Sequence, residues 1–322
     1  MWLIGGYGPQ LDGLGTGIGY ARERSDRSLE YSGVAATTPS PSYLVESDSH
    51  VYSADEASGT VSSFRREGSA LVHDGTVSSG GELPCHLTLL HGALHGALVV
   101  ANYLSGTVGV IDLTPDGAVG GLRQTLRGPI EGSHAHSSLL ADATTLVTAD
   151  LGDDSVLLHT LSGTTLTRTG RLAIGAGTGP RDLALTASGS VVVLGQLDGS
   201  LSVVEEVDGV LAVVSSVVLP GVEARDAAAA IAFGPGGYVY AGLRGSNRVS
   251  VARTDGHRIE PVGWVSCEGD WPRHLTVDGD VLHVANQRSS TVASFRLGAD
   301  GLPALIREPE PVPSPTCLLK AR

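Results

Sequence analysis

The chain has 322 residues, enough to bury a substantial core, and its 21 basic and 34 acidic residues give a net charge of −13. The basic residues form no run or stripe, which excludes nucleic acid as a partner, and no apolar run approaches the roughly 20 residues that a membrane span needs. The three cysteines are too few for a disulfide framework and are not spaced as zinc ligands, so we expect a cytoplasmic protein that uses no metal or other cofactor.

Short strand-like segments separated by turns run through the whole chain, and 44 residues are glycine, which together favour an all-β protein. Three such segments, WLIGGYG, TGIGYARE and LEYSGVAAT, lie within residues 2–36. From Pro41 onward a longer unit recurs, in which a Pro-x-x-Leu segment or a similar one is followed by further apolar segments and polar turns. Later copies of this unit begin at Pro84, Ala135, Pro180, Ala228 and Pro272, and a last lone segment, SPTCLLKAR, begins at Ser314.

The repeat has the length of a propeller blade. Equivalent anchor residues follow one another at spacings of 43, 51, 45, 48, 44 and 43 positions, at Leu44, Leu87, Ser138, Leu183, Ile231, Leu275 and Leu318. Because a four-stranded unit cannot cover both of its own faces, we expect seven units to stack radially as one seven-bladed β-propeller domain over residues 1–322. The strands within 2–36 and the strand within 314–322 should share one blade and thereby close the ring.

The proline-rich stretch EPEPVPSP, which begins at Glu308, can supply few backbone donors to a sheet. We predict that it forms the outer edge of one blade and the crossing to the closing strand. A low-complexity interaction tail is the alternative, although the apolar SPTCLLKAR that follows resembles core sequence.

Two rings of residues are predicted to line one mouth of the central channel. The innermost strand of a blade is antiparallel to its neighbour, so the start of the first and the end of the second lie on the same face of the disc. The first ring contains Ser42, Cys85, His136, Arg181, Ala229, Arg273 and Thr316. The second ring contains Tyr7, Glu56, Tyr103, Leu151, Gln196, Arg244 and Gln287. Positions that serve packing alone should hold similar residues, so the charged and amide members mark a candidate site.

The arginines of the two rings indicate an anion site, since a guanidinium suits bidentate recognition of carboxylate or phosphate. Each of them also has a structural interpretation. Arg181 could form a local ion pair with Asp182, and Arg273 could lie over Trp271. Arg244 could be an ordinary loop charge.

The histidines likewise have both functional and structural interpretations. His136 could act as a general base or acid, or it could be a hydrogen-bonded histidine that faces the channel. His134 and His136 together lack a third ligand at a useful spacing for a metal. His86 and His274 occupy the same repeat position, which favours an architectural role for both.

The motifs, in their order along the chain, resemble those of one known family. They are the Pro-Arg-x-Leu segments at Pro180 and Pro272, His-Ala-His at His134 with ADLGDDSV after it, GLRGSNRVSV, ANQRSSTVASF and the closing PTCLL. They are similar to the seven-bladed lactonase family, which includes the propeller-type 6-phosphogluconolactonases and the carboxy-muconate cyclases. The resemblance covers nearly the whole chain. It implies the propeller fold and an active site at the channel mouth that handles an anionic lactone or its open acid.

Motif by motif, the resemblance places the family histidine on His136 and two family arginines on Arg181 and Arg244. Two family glutamates fall on Gln196 and Ala230, so this chain departs from the family by losing both carboxylates. Glutamine can hydrogen-bond a ligand but cannot accept or deliver a proton at neutral pH.

The leading hypothesis is a lactonase-like carboxylic ester hydrolase that opens a small anionic sugar lactone of the 6-phosphogluconolactone type, with His136, Arg181 and Gln196 as catalytic residues. The expected substrate-binding residues are Arg244, Arg273, Gln287 and Glu56. One alternative is a non-catalytic ligand-binding or scaffold propeller that has lost the family glutamates. Another is a cyclase or lyase that acts on an unsaturated dicarboxylate. The sequence leaves the oligomeric state open.

Overall fold

A computed structural model of the chain describes residues 1–68, 70–90, 96–208 and 210–321, and within these ranges the regular structure is almost entirely β-sheet. Two short 3₁₀ turns, Pro9–Leu11 and Pro235–Gly237, interrupt the pattern. The strands form seven antiparallel sheets, each of which packs against the next around a ring. The predicted seven-bladed β-propeller is confirmed. Among the described residues, no helix is long and apolar enough to cross a bilayer.

The blades are numbered from the N-terminus, and the strands of each are given from the channel outward. Blade 1 contains β29 (Pro315–Lys320), β1 (Trp2–Gly6), β2 (Gly17–Glu23) and β3 (Leu29–Thr37). Blade 2 contains β4 (Pro41–Glu46), β5 (His50–Asp55), β6 (Thr60–Glu67) and β7 (Ala70–Ser78). Blade 3 contains β8 (Pro84–Leu90), β9 (Ala97–Asn102), β10 (Thr107–Leu113) and β11 (Val119–Arg127).

The remaining blades follow the same order. Blade 4 contains β12 (Ala135–Leu140), β13 (Thr145–Asp150), β14 (Ser155–Ser162) and β15 (Thr165–Ala173). Blade 5 contains β16 (Pro180–Leu185), β17 (Val191–Gly195), β18 (Ser200–Val207) and β19 (Val210–Val218). Blade 6 contains β20 (Ala227–Phe233), β21 (Tyr238–Arg244), β22 (Arg248–Thr254) and β23 (Ile259–Ser266). Blade 7 contains β24 (Pro272–Asp278), β25 (Val281–Asn286), β26 (Thr291–Leu297), β27 (Pro303–Leu305) and β28 (Glu310–Pro311).

The two ends of the chain close the ring. β29 runs antiparallel to β1, with Cys317 opposite Gly5 and Lys320 opposite Trp2, so the N-terminal and C-terminal strands share one blade as predicted. β28 pairs with β26 at the outer edge of blade 7, and the chain then crosses to β29. The proline-rich stretch therefore forms an edge and a crossing, as the sequence predicted.

The core lies between the blades rather than within them. The described residues form seven apolar clusters, each shared by two neighbouring blades. The second strand of a blade is buried on both faces, which explains the continuous apolar sequence VVVLG of β17. The outermost strands, such as β15, alternate exposed and partly buried residues because one face meets solvent. This packing fixes the innermost strands that line the channel.

Candidate active site

A β-bulge lies at the mouth end of each innermost strand. In β16, Pro180 pairs with Gly195 and Asp182 pairs with Leu194, so Arg181 bulges out between two paired residues. Equivalent bulges occur in the other blades at Ser42, Cys85, His136, Ala229 with Ala230, Arg273 and Thr316. A bulge re-aims the side chain of its extra residue. The bulged residues are the predicted first ring, and the cavity at the mouth is lined by all of them.

The second ring is held against the first by backbone hydrogen bonds. In six blades the second-ring residue donates its N–H to the carbonyl of the residue that precedes the innermost strand, as Glu56 does to Ser40 at 3.1 Å and Gln287 does to Trp271 at 3.1 Å. Ser40 and Trp271 adopt left-handed φ angles of 48° and 67°. The two predicted rings are therefore neighbours at one mouth.

Arg181 and Arg244 converge on one neutral oxygen. Arg181 Nη1 donates to Gln196 Oε1 at 2.5 Å, and Arg244 Nη2 donates to the same atom at 2.7 Å. Their Nε groups donate to the carbonyls of Ala229 and Ala227 at 2.6 and 2.9 Å. Both arginines are only 6% exposed. Among the described residues, neither guanidinium forms an ion pair with a carboxylate.

The electrostatics of this pair favour an incoming anion. Burial, followed by the charge of Arg273, lowers the pKa of Arg181 to about 10. Burial, followed by the charges of Arg181 and Arg273, lowers the pKa of Arg244 well below its usual value. A buried cation without a counterion is costly, so a bound anion would stabilise both guanidiniums.

The alanine run at the start of β20 makes room beside these arginines. Ala229 stands in the first ring between Arg181 of blade 5 and Arg273 of blade 7. With only a methyl group at that position, a cavity of about 130 Å³ remains in the channel mouth, and its lining includes His136 and Ala230. We refer to this space, bounded by His136, Arg181, Ala229, Ala230 and Arg273, as the channel cavity.

Arg273 belongs to a second cluster that links three blades. Its Nη2 donates to the Tyr7 hydroxyl at 2.6 Å, and Tyr7 donates in turn to Glu56 Oε1 at 2.7 Å. Arg273 Nη2 also lies 3.6 Å from Glu56 Oε2, and the guanidinium lies 4.5 Å from the centre of the Tyr7 ring. Gln287 Oε1 accepts a longer hydrogen bond of 3.5 Å from Arg273 Nη1. Burial acts to lower the pKa of Arg273, but Tyr7 and Glu56 outweigh it and raise the pKa.

His136 lines the channel cavity from blade 4 and is 8% exposed. The Tyr103 ring meets its imidazole edge-on at 5.7 Å, and the Cys85 thiol donates to its backbone carbonyl at 3.3 Å. Burial, followed by the charges of the three arginines, lowers the pKa of His136 well below 6.5. The imidazole is therefore neutral at pH 7 and has a nitrogen that can accept a proton.

His86 and His274 have the architectural role that their shared repeat position predicted. His86 Nδ1 accepts a hydrogen bond of 3.4 Å from the backbone N–H of Ser138, and His274 Nδ1 accepts one of 3.2 Å from Leu318. Ser138 and Leu318 are the anchor residues of the next blade, so each histidine ties two innermost strands together. Burial lowers the pKa of His86 to about 3 and that of His274 to about 4.

Asp182 has the same architectural role and does not form the local ion pair with Arg181. Its Oδ2 accepts a hydrogen bond of 2.9 Å from the backbone N–H of Ile231 in blade 6, and its Oδ1 accepts one from Leu183. Burial raises the pKa of Asp182 to about 6. The ion-pair interpretation of Arg181 is therefore wrong, because that guanidinium bonds to Gln196 instead.

The structural interpretations of the other two arginines are also wrong. Arg273 lies over Tyr7, whereas the Trp271 ring lies beneath Arg244 at 5.3 Å and Arg288 at 3.4 Å. Arg244 is buried and bonded rather than a loop charge. The structure thus brings the predicted residues into two clusters, Arg181 with Gln196 and Arg244, and Glu56 with Arg273 and Gln287. The catalytic and substrate-binding roles assigned to them stay predictions.

Three aromatic or histidine contacts at the mouth were not predicted. Sequence reasoning gave no role to Tyr7, although its place in the second ring was a signal for one. It also missed Trp271, whose ring supports Arg244 from a neighbouring blade. His134 donates from Nδ1 to the Tyr103 carbonyl at 2.8 Å, and its ring stacks on Tyr103 at 4.8 Å. His134 therefore positions Tyr103, which in turn contacts His136.

Comparisons with known proteins agree with this architecture. The family profile described as "Lactonase, 7-bladed beta-propeller" matches residues 2–320. The chain is 23% identical to the 6-phosphogluconolactonase of Bacillus subtilis, over 98% of this chain and 97% of that protein. A solved structure from Lactobacillus plantarum superposes with a TM-score of 0.89 at 25% identity over 99% of each chain. The periplasmic gluconolactonase of Pseudomonas aeruginosa superposes with a TM-score of 0.87 at 23% identity, over 99% of this chain and 98% of that one.

Proposed function

The chain belongs to the 7-bladed β-propeller lactonase family, and from this premise we propose that it hydrolyses a small anionic sugar lactone of the 6-phosphogluconolactone type at the channel mouth. The observation that carries the proposal is the channel cavity, in which a neutral His136 faces buried arginines across a space that a methyl group leaves open. A scaffold propeller has no need for buried, uncompensated cations in its channel.

The anionic group of the substrate is held by Arg181 and Arg244 in this proposal. Each guanidinium has N–H groups beyond those that bond to Gln196 and the alanine carbonyls, and a phosphate oxygen can accept from both. Gln196 holds the two guanidiniums together, because its Oε1 accepts a hydrogen bond from each. Arg273, anchored by Tyr7 and Glu56, forms the opposite wall of the channel cavity.

His136 activates water in the proposed chemical step. The imidazole takes a proton as the water oxygen bonds to the lactone carbonyl carbon, and the carbonyl oxygen becomes an oxyanion. Arg273, or the amide N–H of Gln196, donates to that oxyanion. The ring C–O bond then breaks, and the departing alkoxide oxygen receives the proton from His136. The products are the open-chain acid and a hydroxyl group on the same molecule.

Binding of the substrate would prepare His136 for this step. The pKa of His136 is depressed by burial and then by Arg181, Arg273 and Arg244, so an anion that neutralises the arginines raises the basicity of the imidazole. The positions of the two family glutamates hold Gln196 and Ala230, neither of which can accept a proton. Asp182, His86 and His274 also line the cavity, but each accepts a backbone hydrogen bond from an adjacent strand, so we assign the proton transfer to His136.

A substrate panel tests the proposal. We expect purified protein to open 6-phosphogluconolactone faster than the spontaneous rate, with kcat/KM at least about 100-fold above that for gluconolactone, which lacks the phosphate. Proton release in a pH-stat reports both reactions because each yields a carboxylic acid. The panel includes an unsaturated dicarboxylate, assayed by loss of its ultraviolet absorbance.

The panel separates the three candidate functions. Acceleration of neither lactone would overturn the hydrolase proposal. Consumption of the dicarboxylate alone would favour a cyclase or lyase, to which arginines on two sides of the channel cavity are also suited. Binding of 6-phosphogluconate without turnover of any compound would favour a non-catalytic propeller.

A further inference from the structure

A second cavity lies between blades 4 and 5, on the face of the disc opposite the channel mouth. β12 runs from His136 at the mouth to Leu140, and the turn that follows, residues 141–144, contributes to this cavity. Its volume is about 470 Å³, within the range of about 300 to 1,000 Å³ that is typical of small-molecule sites. We refer to it as the inter-blade cleft. Nothing in the proposed lactonase chemistry uses it.

Blades 2 and 6 fill the space that corresponds to the cleft with a tyrosine ring, whereas blades 3, 4 and 5 have a valine at that position, Val99, Val147 and Val192. In each blade, the residue that follows the anchor residue pairs with one residue of the second strand. That second-strand residue is Tyr52 in blade 2, Tyr240 in blade 6 and Val147 in blade 4. Tyr52 and Tyr240 are fully buried, and each hydroxyl donates to a hairpin carbonyl of the next blade, Gly117 at 2.7 Å and Gly301 at 3.0 Å. In blade 4 Val147 stands in place of such a ring, and it lines the inter-blade cleft.

The walls of the cleft combine aliphatic side chains with serine and threonine hydroxyls, and its rim is acidic. Val147, Leu158 and Val204 are among the wall residues, and the rim carboxylates are Asp142, Glu205 and Glu206. Glu205 Oε1 accepts a hydrogen bond of 2.9 Å from the Ser190 hydroxyl and lies 2.7 Å from His257 Nδ1. Among the described residues, its Oε2 makes no hydrogen bond and can receive a ligand donor. Aliphatic and hydroxyl side chains beneath an acidic rim suit a ring that carries a hydroxyl group and a positive charge.

We propose that the inter-blade cleft is a second ligand site, which binds a small aromatic amine. The aromatic ring occupies the space that the Tyr52 and Tyr240 rings fill in their own blades, against Val147. The ammonium group donates to Glu205 at the rim. This site does not depend on the lactonase proposal, because its lining shares no residue with the lining of the channel cavity.

Tyramine is the probe, because it joins a phenol ring to a protonated amine. We expect saturable binding to wild-type protein with a Kd of about 0.1 to 1 mM, measured by calorimetry and by ligand-observed NMR. 4-Methylphenol, which has the ring without the charge, should bind at least about tenfold more weakly. Val147→Tyr should abolish binding of both probes because the new side chain fills the cleft.

Two further variants test separately the role of the Glu205 charge and the role of the open space beside Val147. Glu205→Gln should weaken tyramine binding about tenfold and leave 4-methylphenol binding unchanged, since only the charge is lost. Val192→Tyr makes the same substitution at the equivalent position of blade 5, where the space is already filled by a packed cluster. It should lower the Tm, whereas Val147→Tyr should maintain or raise it.

The outcomes decide the proposal as follows. Saturable tyramine binding that Val147→Tyr removes and Glu205→Gln weakens would support it. Absence of tyramine binding to wild-type protein, or binding that Val147→Tyr leaves unchanged, would overturn it. If Val147→Tyr does not fold, equal tyramine affinity in wild type and Glu205→Gln also overturns the assignment.

Discussion

At the scale of single residues, the channel mouth is defined by an imbalance of charge. Glu56 supplies a carboxylate to Arg273, with the Tyr7 hydroxyl between them, so this cluster contains its own counterion. Arg181 and Arg244 donate only to neutral acceptors among the described residues, namely the amide oxygen of Gln196 and two alanine carbonyls. Two buried cations that share a neutral acceptor are poorly stabilised without an anion, which is consistent with the anion site that we propose.

Gln196→Glu should therefore stabilise the free protein and weaken ligand binding at the same time. A carboxylate at position 196 would neutralise the two guanidiniums, and we expect the free energy of unfolding to rise by about 1 to 3 kcal/mol. The Kd for 6-phosphogluconate should increase about tenfold because the ligand competes with the new charge. Urea unfolding and calorimetry measure the two effects.

Gln287→Glu provides the matched control for this prediction. Gln287 stands in the same ring but faces Arg273, which already has Glu56 as a counterion. The control should change ligand affinity by less than about threefold. Tighter binding of 6-phosphogluconate by Gln196→Glu would contradict the assignment of Arg181 and Arg244 as the anion site.

At the scale of the strand, the bulged innermost strands combine two tasks. The extra residue of each bulge faces the channel, and the next residue faces the neighbouring blade. In three blades that next residue is a hydrogen-bond acceptor, His86, Asp182 or His274, which receives the N–H of the adjacent strand. These links fix the spacing of the blades directly below the channel cavity.

The neutral histidines of these links should make the protein sensitive to acid. The pKa of His274 is about 4 in the folded protein and about 6.5 when unfolded, so below pH 6.5 the unfolded chain binds the extra proton and stability falls. At pH 5 the loss is on the order of 1 to 2 kcal/mol for this one group. Asp182 has the opposite effect on stability as the pH falls. Because its pKa is raised, the folded protein takes up a proton on Asp182 between about pH 6 and 4, before the unfolded chain does.

His274→Asn tests this link, because an amide oxygen can accept the Leu318 N–H without titrating. The drop in Tm between pH 7 and pH 5 should be about 2 to 5 °C smaller in the variant than in the wild type. His73→Asn changes an exposed histidine and should leave that drop unaltered. An unchanged drop in His274→Asn would show that His274 is protonated in the folded state.

The blades could be predicted from the sequence because their apolar pattern repeats, and the rings because antiparallel strands place their ends on one face. The contacts within the rings could not. Arg273 reaches past blade 1 to Glu56 in blade 2, and Trp271 supports an arginine from another blade. Long side chains choose such partners by three-dimensional packing, and no local spacing encodes that choice. Val147 became informative only when strand register made it equivalent to Tyr52 and Tyr240.

At the scale of the whole molecule, stability depends on seven interfaces and one closure. Each apolar cluster joins two blades, so a weak interface affects both of its neighbours. The closure uses β29, whose Leu318 packs with Trp2 and Ile4 in the cluster between blades 7 and 1. A disc closed in this way holds the first and second rings at a fixed separation, which the channel cavity requires.

Leu318→Ala should cost about 2 to 4 kcal/mol of unfolding free energy, because Leu318 is 3% exposed and its loss leaves a cavity at the closure. Leu305→Ala removes the same group from the outer edge of blade 7, where Leu305 is 37% exposed, and should cost less than about 1 kcal/mol. Urea denaturation of both variants provides the measurement. Equal costs would argue that β29 is not needed to close the ring.

The most direct test of the account is the rate at which His136→Ala opens 6-phosphogluconolactone. We predict that kcat falls at least about 100-fold while the Kd for 6-phosphogluconate stays within about threefold, since His136 moves the proton and the arginines hold the anion. His73→Ala, which changes an exposed histidine in the outermost strand of blade 2, should retain kcat within about threefold. Equal rates for wild type and His136→Ala would contradict the assignment of the channel cavity as a lactonase site.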